Sequence, residues 1–260
     1  MPIKKGGIRI SSLDEWAARA GPKSRNQWVD GRSAKEAARA WLEGDGRNLP
    51  HEVTDALTRH SAFGPVQSWV AEPEAKLRFD DFAGEPRNSD LVVHARDSHG
   101  PYLIAVEAKA DEPFGETVAD ALASSLERLL ENERSNALIR VQRLAQALLG
   151  ARQQGDQPIK HLRYQLLTAC AGAICEAERR GSLRALVLIH EFVTNKTADQ
   201  WHEANRAALD AFVSRLTHGS VTHVGDGGIY GPFPVPNTPL FGGKTGLFIG
   251  KVSRNLRSGV

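Results

Sequence analysis

A tight turn between two apolar runs constrains the fold of this 260-residue chain more than any other feature of its sequence. The turn reads Asp-Ser-His-Gly-Pro at residues 97–101, and the apolar runs occupy residues 91–95 and 102–110. Adjacent glycine and proline mark a turn, and two strands joined by a short turn pair in antiparallel fashion. The sequence therefore predicts a β-hairpin over these residues.

Helical patterns flank this hairpin. The apolar residues recur with the 3.6-residue period in several segments, most clearly in residues 137–149. Helices are predicted at residues 12–20, 33–42, 50–60, 117–130, 137–149, 160–179 and 198–216. Further strands are predicted at residues 76–79, 183–193, 221–224 and 247–252. This order predicts an α/β fold with a mixed central sheet flanked by helices.

The chain shows no internal repeat, low-complexity tract or linker, which favours a single domain. Within it, residues 1–48 are predicted to form an N-terminal helical extension packed on the core, and residues 49–220 the core itself. Residues 221–260 are rich in glycine and proline, and an irregular C-terminal extension is predicted there.

The net charge, the cysteines and the lengths of the apolar segments limit the classes of protein to which the chain can belong. The net charge of +2 does not indicate a nucleic-acid binder, although basic residues are concentrated near both ends. Cys170 and Cys175 fit no disulfide framework, and no segment approaches the roughly 20 apolar residues of a membrane span. The first residues lack the apolar centre of a signal peptide. We therefore expect a cytoplasmic protein with no membrane partner.

The hairpin carries charged residues on one face. Side chains alternate along a strand, so Glu107 and Lys109 point one way while Ile104, Val106 and Ala108 point the other. Asp90 begins the preceding strand, and closure of the turn would bring it opposite Glu107. The sequence therefore predicts two carboxylates and an amine at one point.

Such a constellation is suited to metal chemistry. Two converging carboxylates repel each other and need a cation, and Mg²⁺ (or Mn²⁺) prefers oxygen ligands. Asp90 and Glu107 are the predicted ligands, and the carbonyl of Ala108 is a further candidate. A metal held there would activate water against a phosphodiester, while Lys109 would orient that water or neutralise phosphate charge.

A plainer interpretation remains open for these residues. Glu107 and Lys109 can form an ordinary ion pair on a solvated strand face, with no function attached. The chain would then be an unrelated α/β protein. The close approach of the Asp90 and Glu107 carboxylates is what distinguishes a metal site from such a surface pair.

The segment from Ser89 and Asp90 through the hairpin to residues 106–109 (Val-Glu-Ala-Lys) resembles the PD-(D/E)xK motif of the restriction-endonuclease-like superfamily. The element order over about residues 50–195 resembles its αβββαβ core, with extra helices before the last strand. Residues 107–115 (EAKADEPFG) and 163–167 (RYQLL) look like an uncharacterised bacterial family within it. Ser89 stands where the motif's name has proline.

The resemblance implies a Mg²⁺-dependent endonuclease with Asp90 and Glu107 as metal ligands and Lys109 as the catalytic lysine. Nucleic acid, with DNA foremost, is the implied substrate. Members of the superfamily often act as homodimers, which the exposed helices would permit. The alternative is a catalytically silent module of the same fold that serves as a structural or protein-interaction partner.

The resemblance also points to two further site residues. The first core helix often supplies a glutamate, for which Glu52 is the candidate, with Glu72 and Glu74 as rivals. The helix after the motif often supplies a glutamine, here Gln165. Glu52 can equally be a first-turn acid stabilised by the helix dipole, and Gln165 can lie on an ordinary exposed face.

Arginines on the predicted helices offer a possible surface for a nucleic-acid backbone. The candidates, together with the basic chain ends, are Arg140, Arg143, Arg152 and Arg163.

Overall fold

A computed structural model describes residues 2–22, 24–43 and 48–257 and places a mixed sheet of six strands between two layers of helices. The helices are α1 (Leu13–Ala20), α2 (Ser33–Leu42), α3 (His51–Arg59), α4 (Val118–Glu131), α5 (Ala137–Leu149), α6 (Tyr164–Arg179) and α7 (Asp199–Leu216). The strands are β1 (Lys4–Lys5), β2 (Ile8–Arg9), β3 (Ser68–Leu77), β4 (Arg87–Asp97), β5 (Gly100–Lys109), β6 (Arg184–Val193), β7 (Gly228–Phe233) and β8 (Gly246–Asn255).

The main sheet has the strand order β3-β4-β5-β6-β8-β7, and β1 and β2 form a separate small ribbon. The strand β4 is antiparallel to both β3 and β5, and the predicted hairpin turn joins β4 to β5. The strand β6 is parallel to both β5 and β8, whereas β7 is antiparallel to β8. A parallel neighbour requires a long crossover, which α4, α5 and α6 supply between β5 and β6.

Each face of the sheet has its own apolar core. The helices α1, α2 and α3 cover one face, called here the α3 face, which receives Ile104, Val106 and Ala108 of β5. The helices α4 to α7 cover the opposite face, called here the α6 face, which receives Leu103 and Ala105. The alternation predicted for β5 is therefore confirmed, and it directs Glu107 and Lys109 to the α6 face.

All seven predicted helices are present, with ends within about four residues of the prediction, but the strands differ in two regions. The strand predicted at residues 76–79 is the end of a much longer strand, β3, while residues 221–224 form no strand. The strand predicted at residues 247–252 is present as part of β8, which is longer than predicted and is an interior strand paired with β6 over ten residues, although the segment around it was predicted as an irregular extension. The described helices, those of residues 2–22, 24–43 and 48–257, include none with both the length and the apolar character needed to cross a bilayer.

Candidate active site

The β4–β5 ladder ends at the pair formed by Leu91 and Val106, so that Asp90 and Glu107 are the next residues on the two strands. Beyond this pair, the Oδ2 atom of Asp90 accepts a hydrogen bond from the backbone N–H of Ala108, at 2.8 Å. The hydroxyl of Ser89 donates to the carbonyl of Val106 at 3.3 Å. Side chains thus replace the ladder and bring the carboxyl of Asp90 to β5.

The carboxylate of Glu107 is buried, with 3% of the residue exposed, and three side chains surround it. Its Oε1 atom accepts hydrogen bonds from Nζ of Lys109, at 2.9 Å, and from the amide of Gln165. Its Oε2 atom accepts one from the guanidinium of Arg87. Buried carboxylates are stable when paired and hydrogen-bonded in this way.

The first turn of α6 brings Gln165 into the site. While its amide nitrogen donates to Glu107, its Oε1 atom accepts a hydrogen bond from the backbone N–H of Gly115, at 3.2 Å. Gln165 therefore joins the end of β5 to the loop that follows it. The sequence placed this residue by resemblance, and the structure places it beside Glu107.

The sequence interpretation missed Arg87, the first residue of β4. Its guanidinium donates to Glu107 and, at 3.0 Å, to the hydroxyl of Thr168 on α6. The side chain is only 8% exposed, and α6 passes close to it at Gly172, where an added Cβ would lie 3.6 Å from Cδ of Arg87. Arg87 is therefore an integral part of the site.

No regular pattern in the sequence could have identified Arg87. It precedes Asp90 by three positions, and strict alternation would put the two on opposite faces of the sheet. The alternation changes on the neighbouring strand, where Ala71 packs on the α3 face but Ala75 on the α6 face. Between them Glu74 has a φ of 50°. This irregularity lies opposite residues 89–91 of β4.

The site opens on a cleft of about 410 Å³. Strands β4 and β5, the loop that follows β5, and the first turns of α6 form its walls. The lining residues are Arg87, Lys109, Pro113, Gly115, Glu116, Tyr164, Gln165 and Thr168. Lys109 and Arg87 thus both face this cleft.

The loop of residues 111–116 is fixed by Asn205 of α7. The side-chain oxygen of Asn205 accepts a hydrogen bond from the N–H of Phe114, at 3.1 Å, and its amide donates to the carbonyl of Glu112, at 2.9 Å. Asn205 is itself buried. One wall of the cleft is therefore anchored to α7.

The two carboxyls have opposite pKa shifts. Burial, reinforced by the negative charge of Glu107, raises the pKa of Asp90 to about 8. Burial also acts to raise the pKa of Glu107, but the charges of Lys109 and Arg87 outweigh it and hold that pKa below its ordinary value. Both cations therefore bond directly to Glu107, whereas the charge of Lys109 is too weak at Asp90 to offset burial and the charge of Glu107.

Lys109 is protonated in this setting. Burial acts to lower its pKa, but the negative charges of Glu107, Asp90 and Glu112 outweigh that effect and raise it. The ammonium also lies 5.2 Å from the centre of the Phe114 ring. At neutral pH this side chain supplies positive charge and does not accept a proton.

The model of a protein family described as a domain of unknown function, DUF6946, matches residues 9–250. The chain belongs to the DUF6946 family. No curated protein is significantly similar to it, and no solved structure matches it either.

In this DUF6946 chain, Glu52 lies away from the site, contrary to the expectation from the sequence. Its carboxylate bonds to Nε2 of His190, at 2.7 Å, and to Nε of Arg254, at 2.8 Å. His190 follows Leu188 by two positions, and both point to the α3 face. Glu52 is therefore on the opposite side of the sheet from Glu107, because α3 packs there.

Of the two rivals to Glu52, Glu74 is the nearer to the carboxyl pair. Its charge acts on the pKa of Asp90, and burial raises its own pKa. Glu72 instead pairs with Lys5, at 3.3 Å, at the edge of the sheet. The DUF6946 site therefore has a third acid at its margin, from β3 and not from a helix.

Within residues 2–22, 24–43 and 48–257, no group of three or more histidine, cysteine, aspartate or glutamate side chains is arranged to hold a metal ion. Ala108 contributes its N–H to Asp90. The oxygens of Glu107 are bonded to Lys109, Gln165 and Arg87.

The arginines expected to line a backbone groove have different partners. Arg163 donates to the carbonyl of Gly115, at 3.0 Å, and so lies at the cleft. Arg140 pairs with Asp80, Arg143 lies over the ring of Phe82, and Arg152 bonds to a backbone carbonyl.

Several basic residues near the C-terminus are paired within the chain. Lys251 pairs with Glu191, at 2.8 Å, and Arg254 with Glu43 and Glu52. Their charges are thus balanced by nearby acids.

Proposed function

We propose that this DUF6946 protein is a metal-dependent nuclease of the PD-(D/E)xK type that hydrolyses phosphodiester bonds in nucleic acid, with DNA as the expected substrate. The observation that carries the proposal is the meeting of Asp90, Glu107 and Lys109 where β4 and β5 separate. Lys109 also lines an open cleft, and Gln165 supports Glu107 from α6. The plainer interpretation, an ion pair on a strand face, accounts for a pair of charges but not for this convergence.

The element order supports the proposal. The sequence of α3, β3, β4, β5, α6 and β6 follows the αβββαβ order of the restriction-endonuclease-like core. The antiparallel β3-β4-β5 meander followed by a parallel β6 is compatible with that core. We therefore propose the same fold, with α4 and α5 as insertions in the crossover.

Asp90 and Glu107 fit a hard divalent cation by their chemistry. Both are carboxylates, they occupy adjacent positions on two strands, and the charge of Glu107 disfavours ionisation of Asp90. A second positive charge would relieve this repulsion. When bound, Mg²⁺ or Mn²⁺ would lower the pKa of a coordinated water and stabilise charge on the phosphodiester. The carbonyl of Ala108 remains a candidate ligand.

The protein's own residues have separate tasks in this proposal. Lys109 stays an ammonium, so it orients the attacking water or neutralises the phosphate and does not serve as the base. Gln165 keeps the carboxylate of Glu107 in place through its bond to Gly115. The buried surroundings of the site lower the local dielectric constant, so these charges interact strongly with one another.

The test is cleavage of labelled DNA and RNA, single- and double-stranded, by the full chain in Mg²⁺ or Mn²⁺. Wild type should cleave only with metal, and Asp90→Ala and Lys109→Ala should each lose about 100-fold or more. Matched controls are Glu85→Ala and Lys76→Ala, which remove exposed charges from the neighbouring strands and loop. Equal cleavage by all five proteins would identify a contaminant and overturn the proposal.

One observation favours the second candidate, a catalytically silent module of the same fold. Glu107 is already neutralised by Arg87 and Lys109, which is what a site that never binds metal would need. Titration calorimetry with Mn²⁺ separates the two candidates. Heat of binding that disappears in Asp90→Asn supports the nuclease, and absence of binding supports the silent module.

A further inference from the structure

Arg87 makes an unusual set of contacts for a buried cation. Its guanidinium bonds to Oε2 of Glu107, to the hydroxyl of Thr168 at 3.0 Å, and to the carbonyl of Gln165 at 3.4 Å. Its Nε atom, although buried, has no hydrogen-bond partner among the residues that the structure describes. A buried donor left unpaired is costly, so this contact set does not satisfy the side chain fully.

The two oxygens of Glu107 are not equivalent. Lys109 and Gln165 both bond to Oε1, whereas Arg87 is the partner that the described part of the chain provides for Oε2. Oε2 is therefore the oxygen that a further cation could take without disturbing Lys109 or Gln165. The guanidinium of Arg87 occupies the place beside Oε2 that such a cation would take.

We propose that Arg87 is a positioning residue that holds Oε2 of Glu107 in the metal-free protein, gives it up to a divalent cation, and then binds a phosphate of the substrate. The inference rests on the proposed nuclease function and adds a role for a residue outside the motif. The released guanidinium would remain in the cleft that it already lines.

Electrostatics supports such an exchange. A buried carboxylate is strongly destabilised without a counter-charge, so Arg87 keeps Glu107 ionised until a metal arrives. A divalent ion beside Asp90 and Glu107 would repel the guanidinium. Guanidinium groups bind phosphate oxygens through paired donors, so a phosphate in the cleft is a suitable new partner.

The packing of Arg87 allows movement of its tip. The Cδ atom of its aliphatic stem lies beside Gly172 of α6, 3.6 Å from where an added Cβ would stand. The donors beyond the stem face Glu107, Thr168 and the cleft. A rotation about the last bonds would transfer the guanidinium from the carboxylate to the cleft without displacing the stem.

The test compares Mn²⁺ binding by titration calorimetry in wild type and Arg87→Met, which keeps an aliphatic stem but removes the charge. We expect Mn²⁺ to bind about 10-fold more tightly to Arg87→Met, because no side chain competes for Oε2. The matched control is Arg140→Met, which removes an arginine bonded to Asp80 at the margin of the same region. The affinity of Arg140→Met for Mn²⁺ should stay within about 3-fold of that of wild type.

The outcomes separate this inference from the proposed function. Equal or weaker Mn²⁺ binding by Arg87→Met, with binding abolished in Asp90→Asn, overturns the role of Arg87 and leaves the metal site standing. Absence of binding in both wild type and Arg87→Met overturns both. If circular dichroism shows that Arg87→Met does not fold, Arg87→Lys takes its place. The shorter lysine side chain cannot span Thr168 and Glu107, so we expect Arg87→Lys to bind Mn²⁺ about 3-fold more tightly than wild type does.

A second measurement addresses the phosphate. Fluorescence anisotropy of a short labelled DNA duplex is followed with and without Ca²⁺. Wild type should bind the duplex more tightly when Ca²⁺ is present, and Arg87→Met should lose most of that gain. An equal gain in both proteins would contradict the transfer of Arg87 to phosphate.

Discussion

Asp90 is fixed by the backbone of Ala108, whose N–H donates to its Oδ2 atom at 2.8 Å where the β4–β5 ladder ends. The position of this carboxyl is thus set by the two strands and not by a free rotamer. One of its oxygens accepts a hydrogen bond from the backbone, and the negative charge of Glu107 acts to raise its pKa. A preorganised acid of this kind is expected where a ligand must be held accurately.

Asp90→Asn should make the protein more stable at high pH. The pKa of Asp90 is raised to about 8 when folded, against an ordinary value of 3.8, so the folded state holds a proton that the unfolded state releases. Stability therefore falls as the pH rises through this window. Asparagine still accepts the bond from Ala108, so the variant should gain on the order of 2 kcal/mol at about pH 9.

Urea denaturation in EDTA at about pH 5, 7 and 9 measures this effect. Asp81→Asn, which alters an exposed carboxylate of the β3–β4 loop, is the control and should follow wild type. If wild type and Asp90→Asn lose stability in parallel as the pH rises, the buried carboxyl does not have the raised pKa.

Gln165→Leu should loosen the loop after β5 without unfolding the protein. The substitution keeps the volume of the side chain but removes its bonds to Glu107 and to the N–H of Gly115. We expect a loss of about 1 kcal/mol in urea denaturation and faster hydrogen exchange at Gly115. Gln146→Leu, on the exposed side of α5, is the control. Unchanged exchange at Gly115 would show that Gln165 does not hold the loop.

The hairpin and its charged face could be predicted because both depend on local rules. The turn at residues 97–101 fixes the pairing of β4 with β5, and the two-residue period then assigns Glu107 and Lys109 to one face. The adjacency of Asp90 and Glu107 follows from the same register. These features required no knowledge of how the helices pack.

The features that the sequence did not reveal depend on long-range packing. A short strand at residues 247–252 was predicted within an irregular extension, but its place as the interior strand β8 depends on parallel pairing with β6 across a long connection. Similarly, nothing in the sequence of α3 specifies which face of the sheet it covers. Glu52 was assigned to the site although α3 packs on the other side.

Asp97→Asn should destabilise the protein at neutral pH but not at low pH. Asp97 closes the hairpin turn, where its carboxylate accepts bonds from Arg184, at 2.7 and 2.8 Å, and from the N–H groups of Gly64 and His99. Burial acts to raise its pKa, but these partners, Arg184 foremost, lower it to about 2.

Because this pKa is depressed, the stabilisation from Asp97 is present above the ordinary pKa of 3.8 and is lost as the pH falls towards 2. The variant should lose about 2 kcal/mol at about pH 7, and its stability should approach that of wild type at about pH 2.5. Urea denaturation at the two pH values measures the difference in the free energy of unfolding between the variant and wild type. A constant difference would mean that the ion pair with Arg184 contributes nothing that depends on charge.

Glu52→Gln should lower the stability of the protein without changing its affinity for Mn²⁺. Burial acts to raise the pKa of Glu52, but His190 and Arg254 outweigh it and hold that pKa well below its ordinary value. The carboxylate therefore stabilises the fold at neutral pH, and its neutralisation should cost about 2 kcal/mol in urea denaturation. Because Glu52 lies on the α3 face, Mn²⁺ binding and cleavage per folded molecule should equal those of wild type. A loss of Mn²⁺ affinity with little loss of stability would instead return Glu52 to the metal site and contradict its placement across the sheet.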